Sequence, residues 1–238
     1  MKVDILAIGV HPDDIELSCS GYLLKEIGRG KTVALLDLTE GELGTRGDRI
    51  LRKKEAMAAA KKMGAISREI LNIGDGFFEI EKKNILQIIQ HIRKYQPTIV
   101  LANAIEDRHP DHARAAGLVA RACFLSGLRK IATKAGNKPQ QVWRPKAIYH
   151  YTQDNPLKPD VIVDISPFIE QKMELILTYS SQFYNPNSKE PDSPISSREF
   201  LDAVKAKCTG YGRYIQVKYA EGFNVSRPIA TDSLLALD

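Results

Sequence analysis

Short apolar runs alternate with amphipathic stretches along the first half of the chain. Residues 3–10 read as a strand and 15–28 as a helix that stops at Gly28. Residues 32–39 predict a second strand, and 48–63 an alanine-rich helix closed by Gly64. A short strand over 68–73 precedes 82–95, where Ile85, Ile88, Ile89 and Ile92 form a helical stripe. Pro97 then introduces a strand at 98–103, with a helix at 113–125. Alternation of this kind predicts right-handed βαβ units. The expected fold is a Rossmann-like α/β sandwich of three layers (αβα) around a mostly parallel sheet.

The second half is less regular. Strands are expected at 147–151 and 161–165, helices at 167–181 and 196–208, and a last extended segment at 217–225. Residues 185–194 are rich in Pro, Asn and Ser, which predicts an exposed loop and a candidate lid. No repeat, low-complexity tract or linker interrupts the chain, so one domain over 1–238 is expected.

Two clusters stand just beyond strand ends. His11-Pro12-Asp13-Asp14-Ile15-Glu16 follows the first strand, and His109-Pro110-Asp111-His112 follows the strand at 98–103. In open parallel sheets that edge is where ligands bind. Either cluster alone also fits a surface turn with a helix cap. At equivalent strand ends, the two together point to one metal site. Two histidines and a carboxylate, with positions left open, are a donor set for a catalytic zinc ion, and His11, Asp14 and His112 are the expected ligands. The same set suits Fe(II). Asp13 diverges from its neighbour in the turn and is the candidate base. His109 is a candidate oxyanion or leaving-group partner, with Asp111 expected to hydrogen-bond its ring. Arg52, Arg108 and Arg46 are candidates for pairing with substrate carboxylates or hydroxyls.

Composition narrows the field further. Hydrophobic residues at 43% and charged residues at 26% fit an ordinary globular protein. The net charge of +5 is spread along the chain with no basic tract and interleaved aromatics, so nucleic acid is not the expected partner. The cysteines, Cys19, Cys123 and Cys208, form no CxxC pair, so neither a disulfide framework nor a thiolate zinc site is expected. The glycines after the second strand lack the Gly-Lys-Ser/Thr of a phosphate loop, and no Gly-x-Gly-x-x-Gly follows the first. With Asp4 breaking any leader and no long apolar stretch, a cytoplasmic protein without a membrane span is expected.

On these residues the chain resembles the LmbE-like (PIG-L) superfamily of zinc-dependent N-acetylglucosamine deacetylases. The paired signatures at His11–Glu16 and His109–His112 carry the likeness. The stretches 39–46, Arg52-x-x-Glu55, Ser181-Gln182-Phe183 and Tyr219-Ala220-Glu221-Gly222-Phe223 are similar to the bacillithiol-biosynthesis branch. The resemblance implies zinc on His11, Asp14 and His112, Asp13 as base, and His109 assisting with Asp111 orienting it. It further implies an N-acetylglucosaminyl-malate substrate whose carboxylates meet Arg52 and Arg108, and a homo-oligomer, often a hexamer in that branch. A deacetylase of another amino sugar, such as a chitooligosaccharide, and a non-catalytic sugar- or nucleotide-binding protein are the alternatives.

Overall fold

The computed structural model describes residues 1–233. Strand β1 (Ile5–Gly9) and strand β2 (Val33–Asp37) are buried along their whole length. Strands covered on both faces need no polar alternation, which explains their unbroken apolar runs. A sheet of seven strands adds β3 (Ser67–Ile70), β4 (Ile99–Ala102), β7 (Ala147–Tyr151), β8 (Val161–Asp164) and β9 (Ala220–Val225). A separate exposed hairpin consists of β5 (Lys134–Ala135) and β6 (Lys138–Pro139). The large sheet runs β3-β2-β1-β4-β7-β9-β8. Its first five strands pair parallel, while β9 is antiparallel to both β7 and β8.

Helices cover both faces. On one, α1 (Asp14–Gly28), α2 (Arg49–Met63) and α5 (Ile169–Ile176) bring Ile15, Cys19, Leu23, Met63 and Leu175 against Ile5, Ala7 and Leu35. On the other, α3 (Lys82–Tyr95) and α4 (Pro110–Ser126) pack Ile88, Ile92, Leu118 and Val119 against Leu6, Ile8 and Leu36. The expected three-layer α/β architecture is present. Helix boundaries follow local chemistry. The Asp48 side chain accepts from Ile50 N and Leu51 N at 2.8 Å, and Gly64 closes α2 in a left-handed conformation.

Several boundaries differ from expectation: β3 ends at Ile70 rather than 73, and α4 starts at Pro110 rather than 113. The helix expected over 167–181 is a 3-10 turn, Ser166–Phe168, followed by the short α5. Beyond it the pairing tightens, with Thr178 N donating to Leu175 O and Tyr179 N to Ile176 O, and the Glu55 carboxylate then accepts from the backbone N–H and the hydroxyl of Ser181. The late helix α6 (Arg198–Tyr214) runs past Cys208, and β9 starts at Ala220 rather than 217. Among the described residues no helix is long and apolar enough to cross a membrane.

The order of the strands locates the site. From β1 the chain winds outward through β2 to β3, then returns to β4 on the other side of β1. The crevice beyond β1 and β4 is therefore the topological switch point, and both histidine clusters open onto it.

Candidate active site

The turn after β1 sets the first cluster. Asp13 is the residue before α1 and takes φ 123°, ψ −24°, a conformation rare for a residue with a side chain. Its carboxylate does not cap the helix. It turns instead to Arg52, whose Nη2 donates to Asp13 Oδ2 at 3.0 Å and to Pro12 O at 2.7 Å. Asp14 begins the helix with its carboxylate folded back on the turn. Asp14 Oδ2 accepts from Val10 N, His11 N and Asn103 Nδ2, each at 2.9 Å. Asp14 Oδ1 accepts from Gln153 Nε2 at 3.0 Å and faces His112 Nε2 at 3.2 Å.

The second cluster occupies the start of α4. The ring of His109 caps this helix, its Nδ1 accepting from Asp111 N at 3.3 Å, and Pro110 fills the first turn. That bond assigns the ring proton to Nε2. His112 Nδ1 donates to Asp107 Oδ2 at 2.5 Å, so Nε2 turns toward Asp14. His11 follows the same plan from the other side. Its Nε2 bonds Asp75 Oδ1 at 2.9 Å and lies 3.5 Å from Asp111 Oδ2, leaving Nδ1 at 3.8 Å from Asp14 Oδ2. Each imidazole is thus anchored by a carboxylate on its outer nitrogen and offers the inner one to a shared centre. Outer carboxylates of this kind fix the tautomer and orientation of metal-binding histidines.

Two other groupings of donors exist among the described residues. Ring nitrogens of His11, His109 and His112 lie within 4.8 Å of one another, as do donors of His11, Asp75 and Asp111. In the second grouping the carboxylates are already engaged: Asp75 Oδ2 accepts from Leu43 N, while Asp111 accepts from Gly76 N and Arg114. They are better placed to hold the His11 ring than to share a cation with it. His109 lies edge-on to His11 at 4.8 Å and stacks on His112 at 4.9 Å, beside the centre formed by the other two rings and Asp14.

The charge balance tests whether a cation fits. Burial opposes protonation of His11, but bonds to Asp111 and Asp75 outweigh it and push the ring up to about 10. His112 is raised to about 9 against the same burial, by Asp14 and Asp107. Asp14 is held well below the usual carboxylate range although burial pushes the other way, because His112 and His11 face it. With no cation, protons neutralise an excess of buried carboxylate. A divalent cation does the same job, and His11, Asp14 and His112 can hold one. Burial drives the Asp13 carboxyl up to about 7, with Arg52 pulling it back. His109 is lowered by burial and by the neighbouring rings, so it is neutral near pH 7.

Arg46, Arg52 and Arg108 line the same cleft, which encloses about 350 Å3. Arg108 is more than half exposed and bonds Asp154 Oδ2 through Nε and Nη2, at 3.0 and 2.6 Å. Arg52 is buried, with Nη1 donating to Gly41 O and Nη2 to Pro12 and Asp13, so its visible contacts orient the turn. Arg46 holds the loop at 185–194, through Pro191 O, Glu190 O and Asp192. Asp111 departs from expectation: its carboxylate faces His11 and makes no hydrogen bond to the His109 ring among the described residues. The reason is helical geometry, since side chains two apart in the first turn do not face each other.

Sequence reasoning passed over Asp75, Asp107 and Gln153. Asp75 stands between Gly74 and Gly76, a pattern that signals only a turn. Gln153 follows β7, and its Oε1 accepts from Asn103 Nδ2 and Ala104 N at 3.0 Å, which locks the amide with its NH2 toward Asp14. Even His150, which has no motif around it, bonds Asn103 O at 2.8 Å and steadies that network.

Comparison with known proteins settles the family. The family model of GlcNAc-PI de-N-acetylase, PIG-L, matches residues 6–123. Diacetylchitobiose deacetylase of Thermococcus kodakarensis is 30% identical over 193 residues, covering 75% of this chain and 70% of that protein. The chain belongs to the PIG-L family. As a PIG-L member it is an enzyme of the deacetylase type, acting on an amide C–N bond. The crystal structure of the conserved protein TT1542 from Thermus thermophilus is 33% identical, with a TM-score of 0.84 over 96% of this chain and 97% of that one. GalB, the 4-carboxy-2-hydroxymuconate hydratase of Pseudomonas putida, is 21% identical with a TM-score of 0.77 over 98% of this chain and 99% of its own. That likeness shows the fold alone.

Proposed function

We propose that this PIG-L enzyme removes the acetyl group from an N-acetylglucosamine conjugate, with His11, Asp14 and His112 holding a zinc ion. One observation supports this above others: two imidazoles, each anchored by a carboxylate, converge on Asp14 beside the buried carboxyl of Asp13. A zinc ion bound there supplies Lewis acidity, lowering the pKa of a neighbouring water from 15.7 toward about 7. The donor set suits Fe(II) as well.

The protein's own groups divide the remaining work. Asp13, buried beside Arg52, takes a proton from the attacking water as its oxygen bonds to the amide carbon. Arg52 fixes the carboxylate in place. His109, neutral and carrying its proton on Nε2, donates to the carbonyl oxygen as negative charge develops there. The C–N bond then breaks and the departing nitrogen takes a proton, releasing acetate and a free amine.

For the aglycone, Arg108 and Lys207 on the cleft wall support an anionic group, such as the L-malate of N-acetylglucosaminyl-malate. A chitooligosaccharide is the second reading, favoured by the activity named for the Thermococcus relative. The test is free-amine release from a panel of N-acetylglucosamine conjugates, with and without a chelator. Chelator-sensitive release is expected. Release that ignores the chelator, or no release from any conjugate, contradicts the proposal. Loss of malate-conjugate turnover in Arg108→Ala, with N-acetylglucosamine turnover retained, is the result that favours malate.

A further inference from the structure

Lysine and arginine are spread along the chain, but aspartate and glutamate are not. Residues 112–153 contain eight Lys or Arg and no acidic residue, which more than accounts for the net charge of +5. The stretch runs from the first turn of α4, through the exposed hairpin of β5 and β6, to just past β7. Arg114 pairs with Asp111 at 3.0 Å. Arg121, Arg129, Lys130, Lys138, Arg144 and Lys146 are exposed, and among the described residues none of them is ion-paired to a carboxylate. Like charges gathered without counter-charges repel one another, so a surface of this kind is suited to an anionic partner.

The end of α4 gives that surface a fixed shape. Arg93, buried in α3, donates to Ser126 O and Leu128 O at 3.0 Å, to Ile131 O at 2.7 Å and to Thr133 Oγ1 at 2.8 Å. The last carbonyls of a helix have no partner within it, and these bonds fix the turn that follows. Residues 142–144 run alongside, with Trp143 N donating to Ser126 O at 3.2 Å and Arg144 Nη2 to Phe124 O at 2.9 Å. Phe124, Leu128 and Val142 are thereby gathered at one end of the molecule, 58%, 37% and 37% exposed. Arg121, Arg129, Lys130 and Arg144 flank them. This end lies away from the cleft, because α4 starts at the active site and Phe124 is about 18 Å along its axis from His112.

We propose that this end of the molecule docks on a bilayer containing anionic lipid. Phe124, Leu128 and Val142 enter the headgroup boundary, and the flanking cations meet lipid phosphates. The inference is independent of the substrate. Charge complementarity selects an anionic partner, and the apolar centre selects among such partners. Small apolar patches and cationic rims each hold a bilayer weakly, and stable attachment takes both. A single-stranded nucleic acid would need open aromatic faces on which to stack. Here the Arg144 guanidinium lies 4.4 Å over the Phe124 ring, and Lys2 Nζ lies 5.5 Å over Trp143. Docked this way, the cleft opens away from the membrane and keeps its access to soluble substrate.

The test is sedimentation of the whole protein with vesicles of phosphatidylcholine, alone or mixed with phosphatidylglycerol. Binding is expected to the mixed vesicles only, and should weaken at least tenfold in about 0.5 M salt. Arg129→Glu with Lys130→Glu should lower binding at least tenfold, and Phe124→Ser about threefold. Lys82→Glu with Lys83→Glu makes the same change of charge at the far end of α3 and should leave binding within twofold. Thermal melts check that each variant folds, and Leu128→Ser stands in for Phe124→Ser if the latter does not. Equal binding to both vesicle types would overturn the docking surface. So would full retention in the charge-reversed or the apolar variant, or an equal loss in the Lys82 and Lys83 control. Failure to bind mixed vesicles would overturn it as well, whether the face then binds RNA in a mobility shift or a second copy of the chain in sedimentation equilibrium.

Discussion

Arg52 Nη2 lies 3.0 Å from Asp13 Oδ2, and both side chains are buried. The pair crosses from α2 to the turn before α1, so the guanidinium fixes the position of the carboxylate and also its charge. Burial raises the Asp13 pKa to about 7, and Arg52 is the largest opposing influence. A base is active only when deprotonated, so turnover should fall as pH drops through the pKa that Asp13 has in the cation-loaded enzyme. Replacing Arg52 with Met removes the opposing charge and raises the pKa further. The acidic limb of the kcat profile should then move at least one unit to higher pH, and Arg52→Lys should move it less. A limb that stays in place in both variants would show that Asp13 is not the titrating base. Breaking a buried pair also costs roughly 3–5 kcal/mol of stability, so a thermal melt accompanies the profile.

Asp75 and Asp107 are predicted to govern cation affinity without touching the cation. Each holds the outer nitrogen of an imidazole, at 2.9 and 2.5 Å. Asp75→Asn and Asp107→Asn should each weaken binding by about 10–100-fold in chelator competition, with the fold retained. Affinity within twofold of the unaltered protein in both variants would contradict the arrangement.

Cation uptake should release protons. In the metal-free protein His11 and His112 are raised to about 10 and about 9. A raised histidine contributes stability that is fully present below its unfolded value near 6.5 and is lost as pH climbs through its folded value. Between those limits a bound cation must displace the protons. Calorimetry near pH 7.5 (in buffers of different ionisation enthalpy) should record proton release, and affinity should rise with pH. Binding with no proton release would place the cation elsewhere.

Gly41→Ala should damage the site from outside it. Gly41 has φ +65°, and a Cβ there would come within 2.0 Å of Arg52 Nη1. The substitution strains the backbone and displaces the guanidinium together. A destabilisation of about 1–3 kcal/mol is expected, with kcat reduced as in the Arg52 variants. Unchanged stability and turnover would contradict the role given to that loop.

The parallel core could be read from the sequence because β1 and β2 are buried on both faces and carry continuous apolar runs. The stripe of α3, from Ile85 to Ile92, was legible for the complementary reason: one buried face at helical spacing. The convergence of His11 and His112 on Asp14 was legible because their motifs stand at strand ends, and strand ends meet at a switch point. Asp75, Asp107 and Gln153 could not. Each is one polar residue in a turn, and its role depends on a partner 64, 5 or 139 positions away. The orientation of Asp111 toward His11 was hidden likewise, because the loop at Gly76 that receives it comes from β3. The tie of Ser181 to Glu55 beyond α5 comes from a distant helix, which no local pattern encodes.

Two imidazoles and one carboxylate, from turns far apart in sequence, are proposed to share a single cation. Anomalous diffraction from zinc-loaded crystals at the metal edge tests it most directly. One peak at about 2.0–2.2 Å from His11 Nδ1, His112 Nε2 and an Asp14 oxygen is the predicted result. A peak against Asp75 and Asp111 on the far side of the His11 ring, or none at full zinc loading, would contradict it.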